Sequence, residues 1–266
     1  MRVLSWNLWW RYGPWQRRRD AIAATLAAVG PDVCGLQEVW DAAGENLAGD
    51  LAGRLGMHWC WAVAAKGRGR EGEDLSLGNA VLSRWPITAH TQLDLPVGGL
   101  AEEARVAVHA RIDTPGGVLP MFTTHLTFGL GRSQVRTAQV RALAEFVAGH
   151  SGECAYPPVV TGDLNAEPGS DEVRLLGGML TAPAAPGLVL VDAWRYAGAG
   201  DPGYTWDHRN AYLANSMVPS SRIDYVLAGL PRQGRGQLAS AMLAGTAPVD
   251  DVWPSDHFAV VADLRP

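Results

Sequence analysis

In the stretch Pro158-Val159-Val160-Thr161-Gly162-Asp163-Leu164-Asn165, a run of β-branched residues ends in a carboxylate and a carboxamide. Short apolar runs of this kind read as buried strands, and polar residues at strand ends are where α/β folds place their chemistry. The same layout recurs four more times. Ser5-Trp6-Asn7 follows Val3-Leu4, Gln37-Glu38 follows Val33-Cys34-Gly35-Leu36, Thr124-His125 follows Met121-Phe122-Thr123, and Ser255-Asp256-His257 leads into Phe258-Ala259-Val260-Val261. Taken singly, each tip reads as a cap, an Asx turn or a solvated strand end. Five of them in regular succession imply one assembled site.

Between the tips the pattern alternates. Ala21, Ile22, Thr25, Leu26 and Val29 recur at helical spacing, and Gly30-Pro31 ends that helix. Glu45 to Leu55 predicts a second helix, with Leu47, Leu51 and Leu55 on one face. Short strands follow at Trp59 to Ala64, Gly78 to Ser83, Ala104 to Ile112 and Val118 to Thr124, separated by Gly and Pro turns that suit antiparallel pairing. Ser133 to Ala148 predicts a helix, and alternating signals continue through Val159 to Thr161, Asp171 to Leu176, Val189 to Val191, Ile223 to Leu227 and Phe258 to Val261. No internal repeat is visible. Ala65 to Leu77 and Ala197 to Ser221 read as long irregular loops, which in compact domains are often functional. The whole predicts an α/β (α+β) fold with mixed sheets.

At 266 residues the chain is long enough for one large core, and a single domain over residues 1–266 is the expectation. A hydrophobic content of 47% with 18% charged residues describes a folded globule and excludes a disordered chain. The formal net charge of −5 gives no global attraction to polyanions. Arg17-Arg18-Arg19 and Lys66 to Arg70 read as a solvated helix start and a solvated loop. Cys34, Cys60 and Cys154 are too few and too scattered for a disulfide framework or a thiolate zinc site. Met1 to Ser5 runs straight into the first strand without a leader pattern, and no apolar stretch is long enough to span a bilayer, so a cytoplasmic monomer is expected.

The residue types at the tips suit a hydrolytic phosphoester site. Asn7, Glu38 and Asp256 offer oxygen ligands for a hard divalent cation, Mg²⁺ or Mn²⁺, whereas the histidines lack zinc-ligand spacing. His125 and His257 are placed to contact a phosphate, and Asp224, in Ser221-Arg222-Ile223-Asp224-Tyr225, is placed to fix a histidine tautomer and raise its pKa. Asp163, with Asn165 beside it, can orient or deprotonate the attacking water.

With these segments in this order, together with Gly78-Asn79-Ala80-Val81-Leu82-Ser83-Arg84, the sequence resembles the endonuclease/exonuclease/phosphatase superfamily, the deoxyribonuclease I-like fold. The resemblance covers nearly the whole chain. It implies a four-layer sandwich of two packed mixed β-sheets flanked by helices, and a Mg²⁺-dependent site at one end. It also implies Glu38 as principal metal ligand with Asn7 nearby, Asp163 and Asn165 handling water and phosphate, and His125 and His257 on the phosphate. Asp224 would orient His257, with Asp256 close to metal or histidine. Apurinic-site endonucleases of the superfamily carry an acidic residue two positions after the first Asn, where this chain has Trp9. Arg105 looks like the Arg that precedes a family strand near the site, and Arg222 belongs to a matched segment. Gly203-Tyr204-Thr205-Trp206-Asp207 resembles the loop that, in 5′-tyrosyl-DNA phosphodiesterases, lines the groove for the nucleic-acid end. Arg105, Trp206 and Arg222 are therefore the expected substrate contacts.

The expected activity is hydrolysis of phosphodiesters, with nucleic-acid processing of single-stranded or end-modified DNA or RNA as one branch. A phosphatase of small-molecule or lipid-headgroup phosphates is the alternative. A non-catalytic binding module is a third reading, and such proteins usually lack one or more of the residues that are all present here.

Overall fold

The computed structural model describes residues 1–68, 72–99 and 104–266. In chain order the elements are β1 (Arg2–Asn7), α1 (Trp15–Val29), β2 (Val33–Ala42), β3 (Glu45–Asn46), α2 (Leu47–Leu55), β4 (His58–Arg68), β5 (Asp74–Ser83) and β6 (Ile87–Leu95). They continue with β7 (Arg105–Thr114), β8 (Gly117–His125), α3 (Ser133–His150), β9 (Val159–Asp163), α4 (Asp171–Gly177), β10 (Leu190–Asp192), α5 (Ala193–Ala197), β11 (Asp224–Gly229), β12 (Leu238–Ala244) and β13 (Ala259–Leu264). One sheet has the order β12-β13-β1-β2-β5-β4, with β3 paired to β2; the other has the order β10-β11-β9-β8-β7-β6.

Three apolar layers make this a four-layer sandwich. Val3, Val33, Val81, Val108, Val159 and Val226 meet between the sheets. Leu4, Cys34 and Leu36 face the other way, onto Ile22 and Leu26 of α1 and Leu47 and Leu51 of α2. Phe122, Val160 and Tyr225 likewise face Val140, Leu143 and Val147 of α3. Successive residues of a strand point to opposite faces. Val3-Leu4, Val33-Cys34 and Val159-Val160 are therefore buried on both, which is why their sequence reads as an unbroken apolar run. The sheets approach closely at Gly35, where a Cβ would overlap Thr161 Oγ1 and crowd Thr123.

Toward the site the layer between the sheets turns polar. Gln37 Nε2 donates to Thr123 Oγ1 at 2.8 Å and Asn79 Nδ2 donates to the Val106 carbonyl at 2.8 Å. Each link joins one sheet to the other and offsets the cost of burying the donor nitrogen.

The structure corrects several expectations. Ala65 to Leu77 is not an irregular loop: β4 extends to Arg68 and β5 begins at Asp74. Their pairing continues through Lys66↔Ser76 to Arg68↔Asp74. Gly69, Arg70, Glu102 and Glu103 lie outside the described residues. Arg18 is not solvated but buried, 1% exposed, with its guanidinium on backbone carbonyls of Leu8, Trp9, Trp10, Tyr12 and Pro254. Residues 197–221 are irregular as expected, apart from a short 3-10 turn at Ala211–Leu213 and bridges from Trp206 to Ser221 and His257. Among the described residues, no helix is long and apolar enough to cross a membrane.

Candidate active site

Register alone assembles half of the site. β8 and β9 run parallel with His125 opposite Asp163, and β9 and β11 run antiparallel with Asp224 opposite Asp163. Three titratable side chains thus stand on three neighbouring strands at the same end of one sheet. Asn165 follows in a left-handed turn, φ 49°, that an Asn tolerates. Its N–H donates to Asp163 Oδ1 at 2.9 Å, and its Nδ2 donates to His125 Nε2 at 3.0 Å and to the Leu126 carbonyl at 3.1 Å.

The other sheet delivers its groups through irregular backbone. Asn7 ends β1. In β2 the register slips between Leu36↔Ala80 and Val39↔Gly78, so that Gln37 and Glu38 oppose Asn79 alone. A bulge of this kind re-aims a side chain, and Glu38 takes φ 53° within it. Asp256 and His257 lie in the segment before β13. Ser255 Oγ donates to the Asn7 carbonyl at 2.6 Å, and Asn210 Nδ2 donates to the Ser255 carbonyl at 2.8 Å. Those two bonds tie β1 and the 197–221 loop to the Asp256-His257 segment.

The two sets meet around Asp163. Its Oδ2 accepts from Asn7 Nδ2 at 3.1 Å and lies 3.4 Å from His125 Nε2 and 3.9 Å from His257 Nε2. His257 Nδ1 is 2.8 Å from Asp224 Oδ2, and the indole of Trp206 packs edge-on against the imidazole at 5.1 Å. Thr205 Oγ1 accepts the N–H groups of Ile223 and Asp224 at 3.2 Å each, which fixes the strand end that carries Asp224.

Burial and neighbouring charge set the proton affinities. Burial pushes Asp163 up to about 7, with Asp224 adding to the effect and His257 opposing it. Burial pushes Asp256 up to about 7 as well; His257 opposes this and Glu38 adds to it. For His257 burial favours the neutral ring, but Asp224 and Asp256 outweigh it and hold the imidazole well above its usual range. His125 is driven well below its usual range by burial, then by Arg105 and His257. One histidine is therefore charged and the other neutral at pH 7. The neutral ring accepts from Asn165 on Nε2, leaving Nδ1–H, 3.8 Å from Glu38 Oε1.

These groups open on a cavity of about 340 Å³ lined by the polar Asn7, Glu38, Asp256 and Asp163 and by the aromatic Trp9, Phe128 and Trp206. Arg105, 9% exposed, reaches it as well. Arg222 does not line it. Its guanidinium makes a two-point pair with Asp192, at 3.0 and 2.8 Å, and stacks over Tyr225, all buried, so it acts as scaffold under β11. Sequence reasoning also missed the apolar flank of Phe128, Leu130, Val218 and Ile223, for which the sequence carries no signal beyond adjacency to the tips.

Two groups are candidates for a cation. Among the described residues, Asp163, Asp224 and His257 offer ligand atoms all within 4.8 Å of one another, but His257 Nδ1 and Asp224 Oδ2 are already joined by a hydrogen bond of 2.8 Å. Glu38 and Asp256 fit better: both offer carboxylate oxygens and both line the cavity, and Glu38 adds to the upward push on Asp256 that burial begins. Asn7 directs Nδ2 at Glu38 Oε1, 3.3 Å away, while its Oδ1 accepts from the Trp9 N–H at 2.9 Å. In this arrangement the Asn7 amide nitrogen orients the carboxylates, and its Oδ1, which takes one N–H, keeps a second lone pair.

Comparison with known proteins places the fold and the family. A stretch of 174 residues, 62% of this chain, is 32% identical to uncharacterized protein YbhP of Escherichia coli (strain K12) and spans 66% of its length. Over 100% of this chain and 71% of the other, the fold matches an endonuclease/exonuclease/phosphatase from Beutenbergia cavernae DSM 12333 with a TM-score of 0.73 and 25% identity. It also matches D. rerio TDP2 complexed with a single-strand DNA product, over 100% of this chain and 99% of that one, with a TM-score of 0.76 and 20% identity. The model of the Endonuclease/Exonuclease/phosphatase family matches residues 4–257, and the chain belongs to that family.

Proposed function

We propose that the chain is a Mg²⁺-dependent phosphodiesterase, with Mn²⁺ able to substitute. The three activities in the family's name all hydrolyse phosphoester bonds. The observation that carries the reading is the pairing of a charged His257 with a carboxylate, Asp163, that is poised near neutrality, 3.9 Å apart at one cavity wall.

Glu38 and Asp256 would hold the cation, which when bound would supply Lewis-acid stabilisation of charge on a phosphate oxygen. The chain's own residues do the rest. Asp163, with an affinity for protons near 7, can take one from water at neutral pH, a contribution of about 10²- to 10⁴-fold. Asn7 and Asn165 hold its two oxygens in place. Asp224 locks the His257 ring so that Nε2–H faces the cavity, where it donates to a phosphate oxygen as negative charge develops. Because Asp163 and His257 interact, the pair titrates as a unit.

Trp206 and Phe128 beside the cavity favour a substrate with a planar or apolar group next to the phosphate. This supports the nucleic-acid branch over a bare phosphate. The net charge of −5 favours a short or end-bound strand over a long polyanion.

The test is hydrolysis of bis(p-nitrophenyl) phosphate, a 5′-phosphotyrosyl oligonucleotide, an unmodified single strand and a phosphoinositide headgroup, each with Mg²⁺, Mn²⁺ or EDTA. Turnover of the diesters that is lost with EDTA and in His257→Ala supports the reading. Full activity in EDTA or in the variant contradicts it, and turnover of the headgroup alone moves the assignment to a small-molecule phosphatase.

A further inference from the structure

A second cavity, of about 320 Å³, adjoins the catalytic one and shares Tyr12, Glu38, Arg105 and Phe128 with it. Its far side is formed by Trp10 and by the β4–β5 hairpin through Lys66, Leu75 and Leu77. The backbone that separates the two cavities is unusual. Trp9 and Trp10 are consecutive and both left-handed, with φ of 55° and 37°, a conformation that bulky L-residues rarely adopt. Its effect is to send one indole to each cavity: Trp9 lines the catalytic one and Trp10 the second.

One buried side chain holds this arrangement. Arg18 Nη2 donates to the Trp9 and Trp10 carbonyls at 2.8 Å each, Nη1 to those of Leu8 and Pro254 at 2.8 and 3.0 Å, and Nε to that of Tyr12 at 3.0 Å. Strain that the surroundings over-determine in this way clusters at binding sites. Trp10 is fixed further by its Nε1–H, which donates to the Ser76 carbonyl at 3.2 Å, and by the edge of Tyr12 at 5.5 Å. Its plane is set before any ligand arrives.

The walls say what fits. Three of the enclosing side chains, Trp10, Tyr12 and Phe128, are aromatic, and such faces take planar rings without reading their sequence. Lys66 is exposed at the hairpin edge and adds a point charge for an anionic oxygen. The shared residues put an occupant of this cavity beside the catalytic one, close enough to belong to the same substrate.

We propose that the second cavity is a subsite for a planar aromatic ring, a nucleobase or similar heterocycle, joined to the scissile phosphate, with Trp10 as its wall and Lys66 on a flanking anionic oxygen. This rests on the phosphodiesterase reading of the catalytic cavity. The ring adds binding, so it separates substrates by KM.

The test compares thymidine 5′-(p-nitrophenyl phosphate) and its 3′ isomer with methyl p-nitrophenyl phosphate, using wild type, Trp10→Ala and Lys66→Ala. The wild type is expected to prefer one thymidine ester over the methyl ester by at least tenfold in kcat/KM. Each variant is expected to lose at least fivefold more on that ester than on the methyl ester, through KM. Lys66→Ala changes an exposed residue and keeps the test valid if Trp10→Ala fails to fold. Equal losses on all esters, or no preference in the wild type, overturn the subsite. If no ester is turned over, the phosphodiesterase reading fails instead, and calorimetric binding of thymidine 3′,5′-bisphosphate decides the subsite: a Kd raised at least fivefold in both variants upholds it, and an unchanged or undetectable Kd overturns it.

Discussion

Taken from edge to edge, β12-β13-β1-β2-β5-β4 and β6-β7-β8-β9-β11-β10 have the same succession of neighbours. In each, one parallel pair, β1 with β2 and β8 with β9, is flanked on both sides by antiparallel strands. A helix, α1 or α3, connects each parallel pair. The two halves nevertheless furnish the site differently. In the second sheet His125, Asp163 and Asp224 stand in plain ladder register. In the first, Glu38 sits on a bulge with left-handed backbone, and Asp256 and His257 sit in a segment before the strand. Ladder-borne groups are packed against one another and exchange influence on protons; Glu38, on its bulge, and the buried Asp256 bring carboxylate oxygens to the same cavity. The hydrogen bond from His257 to Asp224 joins the two sets.

The largest effect falls on the ladder side. Asp163→Asn is expected to lower kcat on bis(p-nitrophenyl) phosphate by about 10³- to 10⁴-fold, measured with the Mg²⁺ requirement unchanged; a loss under tenfold would remove Asp163 from the proton chemistry. Arg222→Leu comes next and acts on stability. It leaves Asp192 buried and uncompensated, a cost of about 3–5 kcal/mol in urea unfolding. KM of the folded enzyme should not move, and adding Asp192→Leu should recover most of the stability. A KM increase would return Arg222 to substrate binding.

Asp224→Asn cuts the link between the halves. The expected loss in kcat is about 10²-fold, together with a downward shift of the alkaline limb of the pH profile, because His257 loses the neighbour that keeps it charged. An unmoved limb would mean that His257 is not the group being read.

The smallest effect is on stability against pH. In EDTA, the carboxyls of Asp163 and Asp256 remain protonated in the fold up to about 7, whereas an unfolded Asp has lost its proton near 4. His257 likewise keeps its proton above the usual histidine range. Groups with raised folded values stabilise below their unfolded values and lose that contribution as pH rises through the folded ones. His125 and His109, with lowered values, act in the opposite sense, and only below the usual histidine range. From pH 6.5 to 8 the Tm of the EDTA-treated protein should therefore fall by several degrees, and 5 mM Mg²⁺, a concentration on the order of a typical assay, should reduce the fall. A flat Tm in EDTA would contradict the buried carboxyls.

Strand tips of both halves were legible in the sequence. Strands buried on both faces print an unbroken apolar run, and a polar residue ending such a run is conspicuous, as at Thr161-Gly162-Asp163. Of the strands that went unseen, β6 is an edge strand with most residues exposed, β12 is an edge strand on which only Ala241 is buried, and β3 has two residues, so no clean alternation marks them. The likeness of the two halves was hidden because β12 and β13 close the chain while occupying the places that β6 and β7 hold in the other sheet. Arg18 was misread because it stands in a run of three arginines. Its spacing from Ile22 and Leu26 puts it on the buried face of α1, a signal that was available. Arg222 gave no such signal, since nothing local ties it to Asp192, thirty residues away.

The division of labour between the sheets is tested most directly by titrating Mg²⁺ against bis(p-nitrophenyl) phosphate hydrolysis in wild type, Glu38→Gln and Asp163→Asn. Glu38→Gln should raise the Mg²⁺ concentration for half-maximal rate about 10- to 100-fold and leave most of the saturating rate. Asp163→Asn should leave that concentration in place and lose the rate. If both substitutions shift the Mg²⁺ requirement together, or neither does, the two sheets do not divide metal holding from proton transfer and the account is wrong.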